Sequence, residues 1–114
     1  MRTKPNKQHF FKMEEFIKII NHYGENHQIR KLNEEQYELC EALYDRFLHG
    51  QDYDNSEEWR CKAIELNRHI EEEIADNLVL IRQFIAKYEL NNMRIEDFVR
   101  QKIKRQQQRM EKGE

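Results

Sequence analysis

Two stretches of this chain carry carboxylates at helical spacing. The first reads Glu34-Glu35-Gln36-Tyr37-Glu38 and the second Glu73-Ile74-Ala75-Asp76. Side chains three or four residues apart share one side of a helix. Two such pairs, facing each other across a bundle, make the all-oxygen environment that Mg²⁺ or Mn²⁺ prefers.

Helical wheels of about 100° per residue sort the acids. On the first stretch Leu32, Leu39 and Leu43 share one side; Glu35 borders it, Glu38 and Ala42 lie next to Glu35, and Glu34 points further toward solvent. On the second, Ile74, Ala75, Leu78, Val79, Leu80, Ile81, Phe84 and Ile85 almost surround the helix. That pattern predicts burial on most sides. Asp76 falls between Val79 and Leu80, and Glu73 beside Leu80, so Asp76 carries the greatest weight. An ionised carboxylate there without a partner is costly and calls for a cation, a hydrogen-bond network or a shifted pKa. The structural alternatives are a solvated acidic face for residues 34–38 and a salt bridge from Asp76 to a buried Arg.

Other groups could serve phosphate. Lys102, Arg105 and Arg109 occupy one helical sector, either as a phosphate clamp or as cations favourably placed near a helix C-terminus. Gln28 and Lys31 share the Glu35–Glu38 side; either could touch a substrate, and Lys31 could equally pair with Glu34 or Glu35. Trp59 could stack on a base, though packing is the commoner role. The five His form no HxxxH or HExxH pattern, and there is no phosphate-loop or dinucleotide-binding glycine signature. Any nucleotide would therefore have to be held through metal and side chains.

The elements that must position these groups read as helices. Phe10, Phe11, Met13, Phe16, Ile17, Ile20 and Tyr23 recur at helical spacing up to Gly24, a natural stop. A second helix runs from Glu25 to about His49, with Ile29, Leu32, Leu39, Leu43 and Phe47 as its apolar stripe. Gly50 to Asn55 reads as a loop, with Asn55 as N-cap and Glu58 in a capping-box position. A third helix runs from Ser56 to about Glu89, long enough for a kink. Asn91-Asn92 marks a stop, and Ile95, Val99, Ile103 and Met110 give a fourth helix fraying near Gly113. Residues 1–9 read as a flexible arm and 10–114 as one all-α domain, a four-helix bundle.

Composition agrees. Charged residues are 37% and hydrophobic residues 38% of 114, and twelve aromatics argue against disorder. A mean hydropathy of −1.11 is polar for a lone domain, so the core is expected to be completed by oligomerisation. A net charge of −2 gives no global pull toward nucleic acid or membrane. The charge is uneven: residues 100–112 hold six Lys or Arg against one acid, Glu111. Cys40 and Cys61 lack zinc or CxxC spacing and read as reduced thiols. No signal-peptide pattern or membrane-length apolar run is present, which points to a cytoplasmic protein.

With these residues in hand, the chain resembles the MazG-like, all-α NTP pyrophosphatase superfamily. That family carries EExxE on one helix and ExxD on the next, matched here by Glu34-Glu35-x-x-Glu38 and Glu73-x-x-Asp76. Tyr23-Gly24 and Gln28 before the first motif, Leu39-Cys40-Glu41-Ala42-Leu43 after it, Asn77-Leu78-Val79-Leu80 after the second, and the basic Lys102, Arg105 and Arg109 extend the likeness over residues 25–110. The segment from Ala42 to Glu72 is longer than usual between the motifs, which bears on substrate class.

The resemblance implies a four-helix MazG-like bundle, active as a homodimer or homotetramer. It also implies Mg²⁺-dependent hydrolysis of an NTP or dNTP to the monophosphate and pyrophosphate. Glu35, Glu38, Glu73 and Asp76 are then metal ligands; Glu34, Glu35 or Glu38 takes the proton of the attacking water. Gln28, Lys31, Lys102, Arg105 and Arg109 bind substrate. The competing class is a non-enzymatic helical module that binds nucleic-acid phosphate or a protein partner. The net acidic chain and the lack of aromatics among the basic residues disfavour nucleic acid.

Overall fold

A computed structural model describes residues 12–114 of the chain. The arm expected at 1–9, and Phe10 and Phe11 of the first stripe, lie outside the described residues. Those residues form four helices and no strand: α1 (Met13–Tyr23), α2 (Glu25–Gln51), α3 (Glu57–Lys87) and α4 (Asn92–Glu111). The chain is all-α, as its composition and periodicity predict. No helix among the described residues is long and apolar enough to cross a membrane. Cys40 and Cys61 are free and exposed.

One residue separates α1 from α2. Gly24 sits at φ 93°, a conformation that strains any residue with a Cβ. Its N–H donates to Ile20 O at 2.8 Å and its carbonyl accepts from Gln28 N at 3.0 Å, so the same residue closes one helix and opens the next.

The α2–α3 joint differs from the sequence reading by one residue. Ser56, not Asn55, is the N-cap: its Oγ accepts from Trp59 N at 3.0 Å. Asn55 instead takes φ 59°, a left-handed conformation that Asn tolerates. Asp54 Oδ1 holds the cap in place by accepting from Ser56 N at 2.9 Å and Ser56 Oγ at 2.6 Å. Helix α2 continues through Gly50 to Gln51, and α3 runs unbroken for 31 residues, about 46 Å.

Helices α2 and α3 pair antiparallel. On α2 the covered positions are Gln28, Leu32, Glu35, Leu39, Ala42, Arg46 and His49; on α3 they are Trp59, Ala63, Leu66, Ile70, Glu73, Asn77 and Leu80. Both series step by fours and threes, the spacing of a coiled-coil seam. The ends are pinned. Trp59 Nε1 donates to His49 O at 2.9 Å and the rings stack at 4.6 Å; at the other end Gln28 Nε2 donates to Gln83 Oε1 at 2.8 Å. Trp59 thus serves packing, roughly 20 Å along α3 from Glu73. Helix α1 packs mainly on α3. Its Ile20 is 1% exposed, and its Asn21 accepts from Lys87 Nζ.

This seam is not the stripe expected on α2. Ile29, Leu43 and Phe47 are exposed, and so are Ile74, Leu78, Val79 and Ile81 on α3, at 39–42%. The expected burial of α3 on most sides does not occur among the described residues, because α3 meets α2 only along the Trp59–Gln83 seam and otherwise packs on α1. Among those residues the packed unit has three helices rather than four. No residue of α4 is buried, and α4 stands largely apart from the others. Asn91, read from the sequence only as a stop, is its N-cap, with Oδ1 accepting from Arg94 N at 3.0 Å. The projection shows in the radius of gyration, 18.9 Å against about 13 Å for a compact chain of this length.

Two outcomes test the joint. Ser56→Ala removes the side-chain acceptor that caps the first turn of α3 and is expected to cost about 1 kcal/mol in urea unfolding. The Asp54 carboxyl lies below its ordinary value of 3.8, first because the Ser56 hydroxyl donates to it and then because the Ser56 N–H does. A carboxyl depressed in the fold stabilises it above the unfolded value, and that contribution disappears as pH falls through the folded value. The stability lost in Asp54→Asn is therefore expected near neutral pH and should shrink as pH drops below 3.8; a loss independent of pH would contradict this.

Candidate metal centre in the α2–α3 seam

Glu35 takes a seam position on α2, opposite Glu73 on α3, and Asp76 follows Glu73 by one turn. Carboxylate oxygens of these three residues lie within 4.8 Å of one another. Glu35 is 7% and Glu73 8% exposed, whereas Asp76 is exposed and stands at the rim. The sequence reading gave Asp76 the most buried environment; the structure gives that place to Glu35 and Glu73. The reason is the seam phase: positions 73, 77 and 80 meet α2, and 76 falls just outside.

Each buried acid keeps one oxygen without a donor. Among the described residues nothing donates to the inaccessible Glu35 Oε2 and Glu73 Oε2, and Asn77 Oδ1 shares that condition. Ionised carboxylates are acceptors only, so neither can satisfy the other. Two such charges side by side away from water carry a desolvation cost and mutual repulsion. A divalent cation answers both, and oxygen-only donors suit Mg²⁺ or Mn²⁺. The residues therefore fit a metal.

Asn77 fixes the geometry. Its Nδ2 donates to Glu35 O at 3.1 Å and Glu73 O at 2.8 Å. One side chain thus clasps the backbones that carry two of the three carboxylates. An ammonium and an imidazole approach from outside. Lys31 Nζ lies 3.3 Å from Glu35 Oε1 and 3.7 Å from Glu34 Oε2, and His69 Nε2 lies 3.8 Å from Glu73 Oε1. The Lys31 ammonium is pushed above its ordinary value of 10.5, first by its hydrogen bond to Glu35 and then by that residue's charge.

A cavity of about 540 Å³ opens beside the trio, lined in part by Gln28, Lys31, Glu34, Glu35 and Asp76. The structure thus gathers five of the expected residues on one cavity, with Glu73 joined to them through the trio. Glu38 is exposed and outside the converging oxygens, because α2 turns it one position off the seam. Lys102, Arg105 and Arg109 are exposed on α4 and do not line this cavity.

Sequence reading missed Tyr23, His27 and Gln83 on the cavity wall and Asn77 beneath it. Tyr23 and His27 stack across Gly24 with centroids 5.4 Å apart. His27 Nδ1 meets Gln28 Oε1 at 2.8 Å, and Gln28 passes the contact to Gln83, which is 1% exposed. Asn77 and Gln83 left a trace: both are amides in a largely apolar stretch, each following a charged residue, Asp76 or Arg82.

Comparison with protein-family models, curated proteins and solved structures gave no match. The class defined by fold and site is an all-α protein with a buried acidic centre between two antiparallel helices.

Neutralising one buried acid should separate stability from metal response. Glu73→Gln relieves an unsatisfied charge and is expected to raise the melting temperature without metal while removing the rise on adding Mg²⁺ or Mn²⁺. In the native protein, metal at about 100 times its Kd should add about 2.7 kcal/mol. A Glu73→Gln protein that keeps the full metal response would contradict the centre.

Proposed function

We propose that this chain hydrolyses a nucleoside triphosphate, NTP or dNTP, to the monophosphate and pyrophosphate with Mg²⁺ as cofactor and Mn²⁺ as a substitute. The observation that carries the reading is that Glu35 and Glu73 each keep a buried Oε2 without a donor and that their carboxylates converge with that of Asp76 beside an open cavity. The MazG-like motif order supports it independently, since these are the residues that the resemblance singles out. Glu35, Glu73 and Asp76 would hold the metal, with Glu38 one turn along α2. Bound there, a divalent ion supplies neutralisation of phosphate charge, polarisation at the α-phosphorus and acidification of water.

The chain's own groups account for the rest. Lys31 presents an ammonium to the cavity, suited to a phosphate oxygen. Gln28 and Gln83 present amides held in a fixed chain of hydrogen bonds. Glu34, with its side chain 64% exposed beside the cavity, would receive a proton from water in this reading, with Glu35 and Glu38 as the alternatives the sequence offers.

The enzyme acts as a homo-oligomer in this reading. Two features of a single chain support that. Ile74, Leu78 and Ile81 form an exposed apolar stripe on α3, and α4 shows Ile95, Phe98, Val99 and Ile103 to solvent. A 20-residue helix without packing is marginal in water. On α4 the basic trio Lys102, Arg105 and Arg109 flanks this apolar stripe, whereas the Arg100–Asp97 pair at 2.6 Å lies on the other side. Burying the stripe on a second copy would bring the basic trio to that copy as well. Localisation in the cytoplasm belongs to the same proposal.

Purified protein should release pyrophosphate from at least one member of an NTP and dNTP panel with Mg²⁺. Glu73→Ala, Asp76→Ala and Glu38→Ala should lower turnover by several orders of magnitude. Inactivity across the panel together with no metal-induced rise in melting temperature would refute the reading. Light scattering should give a mass of two or four times 14.2 kDa; a monomer would refute the oligomer.

A further inference from the structure

Of the trio, Glu35 alone has a lysine on it. Lys31 Nζ sits 3.3 Å from Glu35 Oε1, while the other oxygen of the same carboxylate is buried without a donor. The Lys31 side chain is 46% exposed and the Glu35 side chain 9%, so the mobile partner is the lysine. Lys31 and Asp76 line one cavity. The ammonium therefore stands on the carboxylate that a divalent ion would use, at the mouth that a phosphate chain would enter.

A dication on Glu35 and an ammonium on the same group repel at a range where Coulomb energies are several kcal/mol even at an effective dielectric constant of about 20. The lysine stem is flexible and its head is a compact point charge with three donors. Glu34 Oε2 offers a second resting place at 3.7 Å, on the solvent side. Leaving Glu35 thus requires only rotation of the side chain.

Resting on the metal reading above, we infer that Lys31 is a placeholder cation. It neutralises Glu35 in the metal-free protein, gives up that carboxylate when a divalent ion takes it, and turns its freed charge to the phosphate chain in the cavity. The site then assembles in order: the lysine is fully available to phosphate only after metal has displaced it. Lys31 competes with metal and assists phosphate, so its removal should move two affinities in opposite directions. A lysine that merely braces α2 would not do this.

The test is calorimetric and needs no turnover. Mn²⁺ alone is titrated into wild type, Lys31→Met, Lys31→Arg and Glu73→Ala; tripolyphosphate is then titrated, as its Mn²⁺ complex, into the Mn²⁺-saturated proteins. Lys31→Met is expected to bind Mn²⁺ about tenfold tighter and tripolyphosphate about tenfold more weakly. Lys31→Arg should stay near wild type in both. Unchanged or weaker Mn²⁺ binding in Lys31→Met overturns the inference, as does unchanged tripolyphosphate binding. If wild type binds Mn²⁺ in a Glu73-dependent way and Lys31→Met fails to tighten it, only the placeholder role falls. If wild type binds no Mn²⁺, the metal reading and the placeholder fall together.

Discussion

Two carboxylates in a helix–helix seam set the terms for the rest of this molecule. Glu35 and Glu73 take positions where a coiled-coil spacing places apolar side chains, and each keeps one inaccessible oxygen without a donor. Removing like charges from water beside each other opposes the pairing of α2 and α3. The pairing is held by what lies on either side. The His49–Trp59 stack and its reciprocal hydrogen bonds fasten one end, the Gln28–Gln83 amide pair the other, and Asn77 clasps the two backbones at the acids themselves. A fold that needed only stability would place Leu at 35 and 73. The retained charges support the proposed metal site, at which local stability would be exchanged for binding.

That constraint also orders the surroundings. The buried amides at 28, 77 and 83 are polar groups whose partners come from the opposite helix or the neighbouring turn, so they set register, although Asn77 Oδ1 keeps no donor among the described residues. Register decides which acids converge. A shift of one residue in α3 would turn Glu73 out of the seam. Asp76 at the rim joins the buried pair to the cavity, and Lys31 supplies the positive charge nearest to them. The cavity wall is completed by Tyr23 and His27, which meet because Gly24 allows α1 and α2 to be joined by a single residue.

Much of the fold was legible in the chain. Gly24 and Asn91 ended or opened helices where their chemistry requires, and composition left little room for strands. Glu35 and Glu73 were singled out by wheel position before any contact was known. The seam phase was not legible. Helix α2 carries two neighbouring apolar stripes, one through Leu32 and Leu39 and one through Leu43 and Phe47, and α3 carries the Ala63–Leu80 stripe beside Ile74–Leu78–Ile81. A wheel identifies apolar sectors but not which partner each meets, so it assigned Asp76 a burial that belongs to Glu73 and Asn77. The same ambiguity hid the standing of α4. Its pattern is amphipathic, yet no described residue buries it, and Lys102, Arg105 and Arg109 are left away from the acids.

The claim on which everything rests is that one divalent ion is held by Glu35, Glu73 and Asp76. Paramagnetic broadening tests it most directly: ¹⁵N-labelled protein, with backbone amides assigned, is titrated with substoichiometric Mn²⁺. The expected result is selective loss of the amide signals around Glu35 on α2 and from Glu73 to Asn77 on α3, with α4 unaffected at the same dose. Diffuse broadening at exposed acids such as Glu57 and Glu58 or Glu71 and Glu72, with the signals at Glu35 and Glu73 intact, would contradict it.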